Sequence, residues 1–147
     1  MATARPVRDD ELSELLALYQ MLNPDDPEPD PDVVADQFES MLADQNLEIV
    51  VVDHDGTLVA TCLLSITPNL SRGVRPFGLI ENVVTHEDYR GDGFGKQVLG
   101  KATDLARARD CYKIMLLTGT EQEWKLEFYE RCGFDRERKT AFEKDLR

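Results

Sequence analysis

Arg90-Gly91-Asp92-Gly93-Phe94-Gly95 carries three glycines at alternate positions, between an apolar run, Phe77 to Val84, and a helical pattern beginning near Gly95. Glycine lets the backbone adopt left-handed angles that other residues avoid, so several N–H groups can converge on one point. The helix that follows adds the positive end of its dipole, and the junction as a whole suits a phosphate or pyrophosphate. Arg90 and Lys96 flank the turn with positive charge in a chain of formal net charge −12. On glycine content alone, a tight turn without a ligand stays open. Two other phosphate sites are discounted. No Gly-Lys-Ser/Thr is present, so the segment is not a nucleoside-triphosphate loop. Val98 stands where a dinucleotide fingerprint starting at Gly93 needs its third glycine.

Outward from the turn, the pattern alternates strands and helices. The following helix is expected from about Gly95 to Ala108, with Val98, Leu99, Ala102, Leu105 and Ala106 on one face. Ile114 to Leu117 reads as a short buried strand and Glu121 to Arg131 as a last helix. One or two closing strands are expected from Phe134 onward. Upstream, Arg5-Pro6-Val7 reads as a first strand, and Asp9 or Asp10 as the cap of a helix with Leu12, Leu15, Leu16, Leu18, Tyr19 and Leu22 at helical spacing. Four prolines between Asn23 and Pro31 make a loop. Asp30-Pro31 starts a second helix through about Ala43. Leu47 to Val52 and Leu58 to Ile66 form strands joined at Asp55-Gly56, a strong hairpin signal. The order is β-α-α-β-β-β-α-β-α-β: an α/β chain with a mixed sheet, read as one domain over residues 1–147.

Composition narrows the function. The chain is 41% hydrophobic and 31% charged, a globular balance. Its acidity argues against nucleic-acid binding, which rests on Lys and Arg against phosphates. No apolar run is long enough for a membrane span, and no signal-peptide core is seen. Cys62, Cys111 and Cys132 form no metal-ligand spacing and read as reduced thiols of a cytoplasmic protein. No metal site is expected; His54 and His86 have no metal-ligand company and read as surface residues. The acidic stretch Asp25 to Asp36 fits a solvated loop, a rim for a cationic amine, or the balance of a high-salt organism.

Arg90, Gly93 and Gly95 resemble the pyrophosphate-binding motif of the GNAT superfamily of N-acetyltransferases. Ile80-Glu81-Asn82-Val83-Val84 is similar to the family's fourth strand. Phe128-Tyr129-Glu130-Arg131-Cys132-Gly133-Phe134 is similar to its Phe-Tyr-x-x-x-Gly-Phe signature. The resemblance covers about residues 5 to 145. It implies the GNAT fold: a mixed, mostly antiparallel sheet splayed between strands 4 and 5 and flanked by about four helices. It also implies acetyl-CoA as cosubstrate, an amine acceptor and often a homodimer. By position, the backbone of Val83, Val84 and Thr85 should pair with the pantetheine amides, extending the sheet edge. The amides of Gly91, Asp92, Gly93, Phe94, Gly95 and Lys96, with Arg90, should hold the pyrophosphate.

The chemistry needs a free amine, and an alkyl amine is mostly protonated at neutral pH. Glu81, on an otherwise apolar strand and on the face of Val83, is the candidate base, directly or through water. A carboxylate buried there needs a role or a partner, so a salt-bridged structural glutamate is the other reading. Tyr129 occupies the family's general-acid position, where it would protonate the departing thiolate; a core tyrosine is the other reading. An N–H of Val83 or Val84 would steady the oxyanion. Gln122 and Lys125 replace the family's Asn and small residue. Cys132 reads as packing, with thioester attack as a minor alternative.

Cys111-Tyr112-Lys113-Ile114, with Glu81 and the Phe128 to Phe134 segment, is similar to the glucosamine-6-phosphate N-acetyltransferase branch, and Arg72 and Arg75 are candidate anchors for a sugar phosphate. A cationic amine on the acidic rim stays open, as does a protein amine. The rival from another class is a non-catalytic acyl-CoA-binding regulatory module.

Overall fold

Alternating apolar residues make the hairpins, and their alternation divides the core. A computed structural model describes residues 1–147. Five strands, β1 (Ala2–Pro6), β2 (Leu47–His54), β3 (Thr57–Thr67), β4 (Phe77–Thr85) and β5 (Ile114–Leu116), form one sheet in chain order. β1 to β4 are antiparallel neighbours, and β4 and β5 are parallel. Helices α1 (Leu12–Leu22), α2 (Pro31–Ala43), α3 (Phe94–Ala108) and α4 (Glu123–Arg131) complete the α/β, GNAT-type architecture.

In β2, Val50 and Val52 point into the core that α3 closes with Val98, Leu99 and Ala102. Ile49 and Val51 point the other way, to Leu15 and Leu18 of α1 and Phe38 of α2. That period of two is why both faces are covered. The hairpin turn is left-handed at both residues, with φ of 51° at Asp55 and 90° at Gly56, the angles its Asp-Gly pair favours. Asp30 caps α2 through the N–H groups of Asp32 and Val33, with Pro31 at the first helical position.

The expected boundaries need correction in three places. The first strand runs over Ala2–Pro6 rather than Arg5 to Val7. Neither Asp9 nor Asp10 caps α1; Glu11 precedes it, and its carboxylate is drawn to Arg5 at 2.8 Å instead. No strand follows Phe134. Asp135 accepts from Glu137 N–H in a local turn, and Arg136 is tied to Glu123 and Glu130 of α4. The short β5 also offers little edge for another strand.

Candidate active site

β4 and β5 pair only over Gly78–Ile80 and Ile114–Leu116, so the strands part beyond Ile80. From Glu81 to Thr85, β4 keeps β3 on one side and has no strand on the other. At the far end of this open edge lies the glycine turn. Gly91 and Gly93 have φ of 88° and 85°, angles that a Cβ would strain. Gly93 is the N-cap of α3, and Gln97 N–H to Gly93 O is the first bond of the helix. The amides of Phe94, Gly95 and Lys96 therefore precede the hydrogen-bonded ladder and are free for an anion. Phe94 is buried and its ring packs 5.2 Å from His54, so it anchors the turn and offers a ligand only its backbone. Gly95 is needed for space: a Cβ there would come 3.0 Å from Phe128 Cζ and 3.3 Å from Thr85 Oγ1. Arg90 is exposed and leans back on Thr85 O at 3.4 Å.

A bulge sits where the strands part. Leu63 faces Glu81 and Thr61 faces Val84, so Cys62 alone opposes both Asn82 and Val83. Asn82 takes up the extra residue at φ 56°, the left-handed form of a bulge. The extra residue reverses the alternation. Ile80 and Val83 pack with the α3 core, whereas Leu63, opposite Glu81, and Val84 pack with the α1 core. Glu81 is thus not on the face of Val83, as simple alternation predicts, and it is exposed rather than buried among apolar neighbours. Exposure removes the penalty that burial would have imposed on its charge. On the α1 side, Tyr19 lies against the Asn82 side chain, and burial pushes its phenol up to about 12. On the α3 side, Tyr129 is half-buried between Phe128 and Phe134, and burial likewise raises its phenol. Cys62 lies beneath, buried, with its thiol pushed up to about 12 by burial. A thiol so shifted is inert near neutrality.

At the opposite end of β4, an open hollow of about 540 Å³ is lined by Arg72, Arg75, Tyr112, Lys113, Arg138 and Lys139. Arg72 stands over the Tyr112 ring at 5.9 Å, and Lys113 Nζ lies 5.3 Å from the same ring and 5.8 Å from that of Phe77. Arg75 is held in place by Asp110, at 3.3 Å, and by the carbonyl of Cys111. Five cations gathered in one hollow make it strongly electropositive in a chain with net charge −12.

The splayed strands and the glycine turn agree with comparison to known proteins. The model of the acetyltransferase (GNAT) family matches residues 15–134. The chain belongs to the GNAT acetyltransferase family. Glucosamine 6-phosphate N-acetyltransferase of Trypanosoma brucei brucei is 39% identical over 79 residues, 54% of this chain and 52% of that protein. The matched stretch thus spans about half the length of that relative. Glucosamine 6-phosphate N-acetyltransferase 1 of Oryza sativa is 30% identical over 139 residues, covering 88% of this chain and 79% of the relative. A solved structure from Agrobacterium tumefaciens superposes with a TM-score of 0.92 at 44% identity, covering 98% of this chain and 99% of that one.

In this GNAT chain the residues expected at the donor end, Val83 to Thr85 and Arg90 to Lys96, line one continuous path along β4 into α3. Arg72 and Arg75 come together with Lys113, and not with the acidic stretch Asp25 to Asp36. Sequence reading missed Arg138 and Lys139, which it placed in a closing strand, and it gave Tyr19 only a packing role. The doublet Arg138-Lys139 in an acidic chain was the available signal. For Tyr19 no signal existed, because its neighbour Asn82 is turned toward it by a bulge with no sequence mark.

Proposed function

We propose that this chain transfers the acetyl group of acetyl-CoA to the amine of an amino-sugar phosphate, by direct attack with donor and acceptor both bound. The observation that carries the acceptor is the basic hollow at one end of β4, opposite the anion-binding turn at the other. Amides of the turn, with Arg90 and Lys96, hold the donor pyrophosphate. The open edge of β4 from Val83 to Thr85 receives the pantetheine amides, as a strand would. Arg72, Arg75, Lys113, Arg138 and Lys139 hold the acceptor phosphate, where charge-assisted bonds are strongest.

Glu81 takes the proton that the acceptor amine loses, and its exposure favours a route through one water. A backbone N–H at Val83 or Val84, beside the bulge, steadies negative charge on the carbonyl oxygen. Tyr129 gives its proton to the departing thiolate, and its raised phenol keeps that proton in place until needed. The family likeness also carries the expectation of a homodimer, for which Phe142 and Leu146, 91% and 88% exposed, are available surface.

Thiol release from acetyl-CoA would be followed with glucosamine 6-phosphate, glucosamine and spermidine. The phosphate should raise kcat/KM about tenfold to a hundredfold over glucosamine, the worth of one or two hydrogen bonds to charged groups. Preference for spermidine would move the acceptor to the acidic stretch. CoA binding without turnover on any amine would make the chain a binding module. Absence of CoA binding would overturn the donor site itself.

A further inference from the structure

Trp124 is the chain's single tryptophan, and it is 61% exposed. It lies on α4, one turn before Phe128 and so on the same side of the helix. Phe128 abuts the start of α3 at Gly95. One turn further along, burial raises the Cys132 thiol, with the charges of Lys96 and Arg131 opposing it. Phe128 thus sets α4 against the first turn of α3, and Trp124 lies one helical turn from that contact on the same side of α4. Lys125 Nζ sits 5.4 Å over the indole ring, and most of the residue remains exposed. The neighbouring acid Glu123 is already paired with Arg136 at 2.6 Å, so its charge is largely offset at this spot.

We propose that Trp124 is the adenine platform of the donor site: the base of CoA stacks on the indole face opposite Lys125. The inference rests on the donor reading above, since it takes the pyrophosphate to lie at Gly91 to Lys96. A flat, polarisable base against an indole is the interaction that aromatic platforms give nucleobases, and it needs no hydrogen bond.

The test uses the whole chain, with calorimetry and the emission of Trp124. CoA and 4′-phosphopantetheine, which lacks the 3′-phosphoadenosine and one phosphate of the pyrophosphate, are the two probes. CoA should quench the emission and 4′-phosphopantetheine should not. Trp124→Ala should weaken CoA about tenfold and leave 4′-phosphopantetheine unchanged, as loss of one stacked base implies. Trp124→Phe should keep most of the affinity. Equal CoA affinity in the wild type and Trp124→Ala, with emission unmoved, would overturn the platform and leave the donor site standing. An equal loss for both probes would also overturn it, by assigning Trp124 to the fold of α4. Failure of the wild type to bind CoA would remove the donor reading and the platform together.

Discussion

The two ends of β4 are built in different ways. At its C-terminal end, the proposed donor site is made of backbone: contiguous residues, two glycines in left-handed angles and the free amides of one helix start. At its N-terminal end, the basic hollow is made of side chains from the loop before β4, the approach to β5 and the tail after α4. A backbone site depends on local angles, so it tolerates any side chain that permits them. A side-chain site depends on charge, and its parts are free to change separately. This difference fits a fold in which the donor is common and the acceptor varies.

The comparison breaks most clearly if chemistry resides at either end instead of between them. Tyr129→Phe should lower kcat by about 10² or more, the usual worth of a positioned acid, with both KM values near wild type. An unchanged kcat would reduce Tyr129 to packing between Phe128 and Phe134. The next effect belongs to the acceptor end. Lys113→Glu should raise the KM for glucosamine 6-phosphate about tenfold to a hundredfold by replacing a charge-assisted contact with repulsion. The KM for acetyl-CoA should not move. If the donor KM rose instead, the hollow would not be the acceptor site.

Legibility followed the same division. The hairpin at Asp55-Gly56, the Asp30-Pro31 cap and the glycine turn depend on short-range preferences, and all three lie where the sequence puts them. The bulge at Asn82 does not. It lies in the pairing of β3 with β4, just past the last pair of β4 with β5, and has no local mark in the sequence. Because it reverses the alternation, it moved Glu81 from the expected face and left it exposed. The tail after Phe134 failed for a related reason. A closing strand is expected there, but the ion pairs of Arg136 with α4 and the short edge of β5 leave it irregular.

A smaller effect is expected at the donor turn. Gly93 has φ 85° and nothing within 4 Å of a built Cβ, so there is room for a side chain but strain in the backbone. Gly93→Val should cost about 1–2 kcal/mol in that angle, or roughly tenfold in the KM for acetyl-CoA. The KM for the acceptor should hold. Equal effects on both would show that the two ends are coupled through β4, which would undo their description as separate sites.

The smallest catalytic effect should come from Glu11, which lies at neither end. Arg5 donates to both oxygens of Glu11 at 2.8 Å and to Asp53 at 2.9 Å, joining β1, the start of α1 and β2. Hydrogen bonding from Arg5 holds both carboxyls below their usual range, against the opposing effect of burial. A depressed carboxyl contributes stability above its unfolded pKa, about 4, and loses it as pH falls through the folded value. The wild type should therefore lose thermal stability on acidification below about pH 4. Glu11→Gln should be less stable by about 1–2 kcal/mol at pH 7, since it leaves part of a partly buried guanidinium unpaired while Asp53 still pairs with it. Its stability should also fall less steeply with acid, because one of the two titrating carboxyls is gone. Thermal melts across pH 3 to 8 would read both effects, and kcat with both KM values should stay at wild type. A selective change in either KM would mean that the charge network at the β1 edge of the sheet reaches one end of β4, so that the two sites draw on a common support.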